Sequence, residues 1–178
     1  MKHKLLLAMA FIALPFTCKA EGVKDSLIVK DFEFEVRYNY TYSMDNGSWN
    51  TFIGAGLEAR WNLRRLPLDV GITLNASGRR HGGYDYQTTA LMVVSDWNFH
   101  RGEKISPFVG LGVGTAYMQR GYWFFREEQT AFAIMPRVGL ELFRHWRVGV
   151  ELNITKGHYN NMSLSVGYAF GGGLKKKK

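Results

Sequence analysis

The 178-residue sequence has one cysteine, Cys18, and four prolines. A single thiol excludes a disulfide framework and a thiolate metal site. Beyond residue 20 no window is long and apolar enough to form a transmembrane helix. The five histidines, at positions 3, 81, 100, 145 and 158, are scattered without metal-ligand spacing. Glycine is plentiful at 20 residues but follows no period, which excludes a collagen-like chain. No glycine-rich loop precedes a helical pattern, so the glycines carry no nucleotide signal, and no cofactor is expected. What is abundant is apolar side chain. Aromatic content of 15% and hydrophobic content of 46% are too high for a disordered chain.

The formal charge of +8 points at first to a polyanion partner. Its distribution points elsewhere. Lys2, His3 and Lys4 precede an apolar run from Leu5 to Thr17, and Cys18-Lys19-Ala20 puts small residues at −3 and −1 before Glu21. Residues 1–20 read as a cleavable signal peptide; acylation of Cys18 is the rival reading. Lys175–Lys178 form a basic tail within residues 171–178. The part between, Glu21–Leu174, carries 16 basic and 15 acidic residues, or +1. No nucleic-acid partner is expected of so balanced a body.

Within that body the dominant period is two. Phe32, Phe34, Val36, Tyr38, Tyr40 and Tyr42 alternate with Glu33, Glu35, Arg37, Asn39 and Thr41. A strand sends such sets to opposite faces. The pattern recurs over Thr51–Leu63, Leu68–Ala76, Thr89–Phe99, Phe108–Tyr117, Phe132–Leu142, Arg147–Ile154 and Ser163–Phe170. Most of these eight segments have the ~9–11 residues of a tilted membrane-crossing strand. None of the apolar faces carries a charge. The opposite faces hold Glu33, Glu35, Arg37, Glu58, Arg60, Asp69, Asp96, Arg137, Glu141, Arg147 and Glu151.

Alternation alone fits either a soluble β-sandwich or an inside-out barrel in lipid. Connections and aromatics separate them. The connections after segments two, four and six are short: Arg64–Pro67, His100–Ser106 and Arg144-His145. Those after three and five are long, Ser77–Thr88 and Met118–Ala131. Short periplasmic turns and longer surface loops are the outer-membrane pattern. Trp61, Trp97 and Trp146 stand beside the short turns, while Tyr42, Trp49, Tyr84, Tyr86 and Tyr117 cluster at the other ends. Two aromatic belts suit two membrane–water interfaces. The fold expected is all-β: an eight-stranded antiparallel up-and-down transmembrane β-barrel over residues 21–170.

On these patterns, and on Pro107-Phe108-Val109-Gly110-Leu111-Gly112-Val113-Gly114, Pro136–Glu141 and Val166–Phe170, the chain resembles the small outer-membrane barrels of the OmpA/OmpX-like class. The resemblance implies residence in the outer membrane of a Gram-negative bacterium. It also implies insertion by the outer-membrane assembly machinery, with Phe170 as the terminal aromatic. Pro136, inside the sixth segment of a barrel with no edge, predicts a local bulge.

Three sets of residues could carry function. The eleven lumen charges suit either an ion path or a paired plug, and a barrel of eight strands is just wide enough to be filled by side chains. Arg79 and Arg80, with Tyr122, Trp123, Phe124 and Phe125, lie in the expected surface loops, where they suit contact with lipopolysaccharide or a surface partner. His158-Tyr159-Asn160 loosely resembles the active-site strand of barrel lipid A deacylases, but asparagine stands where that family needs serine, and Ser163 is wrongly spaced. The expected protein is therefore a monomeric, non-enzymatic barrel with exposed loops. A lipid A-modifying enzyme and a small-solute pore are the alternatives.

Overall fold

A computed structural model describes residues 29–44, 51–63, 66–81, 84–122, 124–156, 160–171 and 173. Cys18, Trp49, Trp123, His158, Tyr159 and Lys175–Lys178 lie outside these residues. Eight strands form the molecule: β1 Phe32–Ser43, β2 Thr51–Asn62, β3 Leu68–His81, β4 Tyr84–Asn98, β5 Ile105–Tyr122, β6 Phe125–Leu142, β7 Trp146–Thr155 and β8 Asn161–Phe170. Each pairs antiparallel with the next, and β1 with β8, so the sheet closes as an up-and-down barrel. Closure leaves no open edge along the body of the sheet, which lets such a structure sit in lipid with its backbone groups satisfied.

The pleat sorts the side chains as the two-residue period requires. One outward row runs Ala59, Ile72, Val93, Val113, Ile134 and Ile154 across six consecutive strands. Ile72, Val93, Val113 and Ile154 in that row are 42–53% exposed. Glu33, Glu35, Arg37, Glu58, Arg60, Asp96, Arg137, Arg147 and Glu151 are 5% exposed or less. A soluble barrel would reverse the two faces. This arrangement is stable only with an apolar solvent outside.

Two features depart from the sequence reading. First, β3 to β6 have 14, 15, 18 and 18 residues, against 10 to 12 for the other four. The spans expected as loops, Ser77–Thr88 and Met118–Ala131, are mostly strand, joined by two-residue connections. Arg79, Arg80, Tyr122 and Phe125 therefore sit on strands, and Phe124 lies in the β5–β6 connection. Beyond the membrane both faces of a hairpin are wet, so the apolar period stops while the hydrogen-bond ladder continues. Second, Pro136 makes no bulge. The β6–β7 register is the same before and after it, from Ile134↔Ile154 to Arg137↔Glu151. The ladder omits Met135 and Pro136 on the β7 side while both stay paired with β5. One side of the ladder thus absorbs the missing N–H, without an inserted residue.

The opposite end is compact. Phe143 and Arg144 both have positive φ, 53° and 67°, in the β6–β7 turn. The left-handed conformation costs a non-glycine residue roughly 1–2 kcal/mol. His145 N donates to Leu142 O across that turn, and Arg144 Nε donates to Gly102 O of the neighbouring turn at 2.8 Å. Lys30 N donates to Gly173 O, joining the chain before β1 to the chain after β8.

Candidate functional site: a filled lumen and a protruding sheet

The lumen charges form one network. Arg137 is at its centre. Its guanidinium donates from Nε and Nη2 to Asp96 at 2.6 Å each, and from Nη1 and Nη2 to Glu58 at 2.6 and 3.0 Å. Arg37 joins Glu58 to Glu151 and lies 3.3 Å from Glu35. Arg60 reaches Glu33, Glu35 and Glu58, and approaches Glu141 at 4.0 Å. Arg147 donates to Asp96 at 2.8 Å, and its guanidinium carbon stands 3.8 Å above the Phe108 ring. Every sequence-identified lumen charge lies in this network.

Sequence reasoning missed one member. Arg101, in the β4–β5 connection, reaches Asp69 at 2.7 Å and also donates to Leu63 O and Leu66 O. Its residue position in a turn carries no face information, so no period could have placed it. The inward glycines make the network sterically possible. A methyl at Gly110 would overlap the Asp96 carboxylate, and one at Gly56 would meet Asn75 and Arg37.

The rest of the lumen is filled unevenly. On β4, β5 and β6, Ala90, Met92, Val94, Ala116, Ala133 and Met135 form a buried apolar cluster. On β1, β3 and β8, Asn39, Thr41, Asn75, Ser77 and Ser163 make a neutral polar wall. Thr41 bonds Ser77 at 3.0 Å and Ser163 at 2.8 Å. At the surface end Phe52, 2% exposed, stacks on Tyr86 with ring centres 4.3 Å apart. Tyr86 therefore points into the barrel rather than into the outer belt. Seven carboxylates and five guanidiniums occupy the lumen, with two stacked rings at its surface end. Planar-bilayer current is expected to remain at baseline; discrete conductance steps would contradict a filled lumen.

Trp61, Trp97 and Trp146 are outward and 38–49% exposed beside the compact turns. Trp146 meets Tyr168 edge-on at 5.3 Å, and Phe32 tilts against Trp61 at 5.4 Å. At the far end Tyr40 and Tyr42 make a similar edge contact at 5.4 Å. Tyr117 lies outward one strand-width from Thr89 and Thr130.

Of the deacylase-like stretch, His158 and Tyr159 lie outside the described residues, and only Asn160 and the nearby Ser163 are described. Ser163 is 5% exposed and faces the lumen, bonded to Thr41. A nucleophile for a lipid acyl chain has to face the lipid. Among the described residues no group of His, Cys, Asp and Glu is arranged to hold a metal ion.

The protruding ends of β3–β6 form a four-stranded sheet above the barrel. β6 pairs with β7 only as far as Ala133↔Thr155, so Phe125–Phe132 have β5 on one side and no described strand on the other. Phe124 and Phe125 at its tip are 87% and 83% exposed.

The architecture defines the class: the chain has the fold of the small eight-stranded outer-membrane barrels. The sequence matches no family model and no curated protein. Among solved structures it is similar to Neisserial surface protein A, with a TM-score of 0.67 at 10% identity, over 79% of this chain and 97% of that one. Ail, the attachment invasion locus protein of Yersinia pestis, aligns with a TM-score of 0.55 at 14% identity, over 79% and 99%. The outer membrane enzyme PagL aligns with a TM-score of 0.50 at 16% identity, over 78% and 98%. At these identities the likeness is one of fold, and the fold hosts enzymes and non-enzymes alike.

Proposed function

We propose that the protein is a non-enzymatic integral outer-membrane barrel that presents its β3–β6 sheet at the cell surface for interaction with other molecules. The observation that carries this reading is the contrast between an ion-paired lumen and a sheet that extends beyond the barrel, in which Phe125–Phe132 of β6 face no described strand on one side. Such an edge offers backbone N–H and C=O groups to an incoming strand. Arg126, Glu127 and Glu128 along it disfavour pairing with a second copy of the same edge, in keeping with a monomer. Outer-membrane lipid with its lipopolysaccharide, and the assembly machinery that inserts such barrels, are the expected partners. The similarity to Ail, an attachment protein, supports surface interaction without identifying a ligand.

The test is fractionation with a functional arm. The native protein is expected in the outer-membrane fraction, with faster gel migration unboiled than boiled. Lipid A mass spectra are expected to be identical in wild-type, deletion and Ser163→Ala cells. Recovery from the soluble periplasm without detergent would refute the membrane assignment. A change in lipid A mass on deletion, reproduced by Ser163→Ala, would restore the enzyme reading.

A further inference from the structure

The outer face of the protruding sheet changes character in regular steps. The ladder aligns Leu74, Leu91, Thr115 and Phe132 in one row, then Ala76, Thr89, Tyr117 and Thr130. The next row is Gly78, Gln87, Gln119 and Glu128, and the one above it Arg80, Asp85, Gly121 and Arg126. All sixteen share one face, because successive rows are two residues apart. The surroundings they prefer therefore pass from hydrocarbon, through an interface, to amide and then to charge.

Six residues of the last two rows, Gly78, Arg80, Asp85, Gln87, Gln119 and Arg126, help to line a depression of about 480 Å³. Asp85 holds the two arginines together: its Oδ1 is 3.3 Å from Arg80 Nε and its Oδ2 is 3.6 Å from Arg126 Nη2. The arginine side chains remain 66% and 47% exposed, so two planar guanidiniums border the depression, while Glu128 of the row below is not among the residues that line it. Gly121, in the same row, is required by the backbone. Its φ is +145°, and a Cβ there would strike Phe125 O.

We infer that this outward depression binds a phosphate group carried on the sugar headgroup of a membrane glycolipid, the chemistry of lipopolysaccharide. Three observations select that occupant. The site faces away from the barrel axis, toward the lipid leaflet. It lies four residues above the Tyr117 row, which at ~3.4 Å per residue and a ~40° tilt is about 10 Å above the interface. That height suits a phosphate borne on sugar better than one joined directly to a diacylglycerol. Finally, paired guanidiniums match phosphate oxygens bidentately, and the Gln87 and Gln119 amides beside them suit sugar hydroxyls. Arg79 also lines the depression, although the alternation of β3 sends its side chain to the face opposite Arg80.

This inference rests on the outer-membrane reading above. The experiment compares full-length wild type with Arg80→Gln/Arg126→Gln and with Arg120→Gln, all folded in nanodiscs. Arg120 lies on the inner face and pairs with Glu127 at 2.8 Å, so it controls for sheet charge. The probe is truncated lipopolysaccharide with its phosphates, alongside the dephosphorylated lipid, inorganic phosphate and a sulfated polysaccharide. The double variant is expected to bind the phosphorylated glycolipid at least tenfold more weakly, with Arg120→Gln near wild type and the dephosphorylated lipid bound weakly by all three. Equal binding by wild type and double variant overturns the inference, as does an equal loss in Arg120→Gln. Saturation of the site by inorganic phosphate, or stronger binding of the sulfated polysaccharide, overturns the glycolipid as occupant. Failure of wild type itself to fold in the nanodisc would instead count against the membrane reading.

Discussion

Replacing Glu58 by glutamine is expected to destabilise the barrel by about 3–5 kcal/mol, the usual cost of removing one partner from a buried ionic network. Glu58 is fully buried and accepts from Arg37, from Arg60 at 3.3 Å and from Arg137 at 2.6 and 3.0 Å, with Arg147 at 3.7 Å. Four guanidiniums thus converge on one carboxylate. Glutamine keeps the volume but turns an N–H₂ donor toward those donors and leaves the cations without their shared counter-charge. The measurement is the urea midpoint in detergent or lipid vesicles, with heat-modifiable migration as the check of folding. Glu141→Gln is the comparison. Glu141 meets Arg60 only at 4.0 Å with its side chain 14% exposed, so its loss is expected to cost no more than about 1 kcal/mol. Glu58→Gln/Arg137→Met, which removes a cation with the anion, is expected to recover part of the lost stability. An unchanged midpoint in Glu58→Gln would mean that the lumen network contributes nothing to stability.

The parts of this fold legible in the sequence are those where the two faces of a strand meet different solvents. β1 is the clearest: Glu33, Glu35 and Arg37 alternate with aromatics and Val36 because one face meets other charges and the other meets lipid. β4 is harder to read, since Met92 and Val94 are apolar yet face inward. They pack on Met135 and Ala116, so at that height both faces of the wall are apolar and alternation disappears. Above the membrane the reverse holds. Arg79 and Arg80 are both polar because both faces are wet, so a continuing ladder reads as a loop. Pairing is what sequence could not show: which carboxylate Arg137 holds, that Arg101 enters from a turn, or that Arg80 and Arg126, 46 positions apart, border one depression. Each depends on register across strands. A single strand's period fixes the face of a residue and leaves open its height against the next strand.

An arginine introduced at Val93 is expected to cost about 2–4 kcal/mol, with the cost falling stepwise toward the surface along the same face of β4. Val93 is 53% exposed and neighbours Ile72 and Val113 in the apolar row. For a soluble protein such an exposed position tolerates arginine within about 0.5 kcal/mol. In lipid the guanidinium has to be dragged into hydrocarbon or reach far for water, and the penalty depends on depth. Thr89→Arg, in the row of Tyr117, is expected to cost less, and Gln87→Arg, one row higher, about 0–1 kcal/mol. Urea midpoints of the three variants in vesicles give the profile. A steep fall from Val93 to Gln87 measures the hydrocarbon boundary on β4, and it also fixes how far above that boundary the Arg80–Asp85–Arg126 row stands. A flat profile would mean that the outer face never meets lipid. The ion-paired lumen would then lack its reason, since water outside would draw the charges outward and the apolar rows inward.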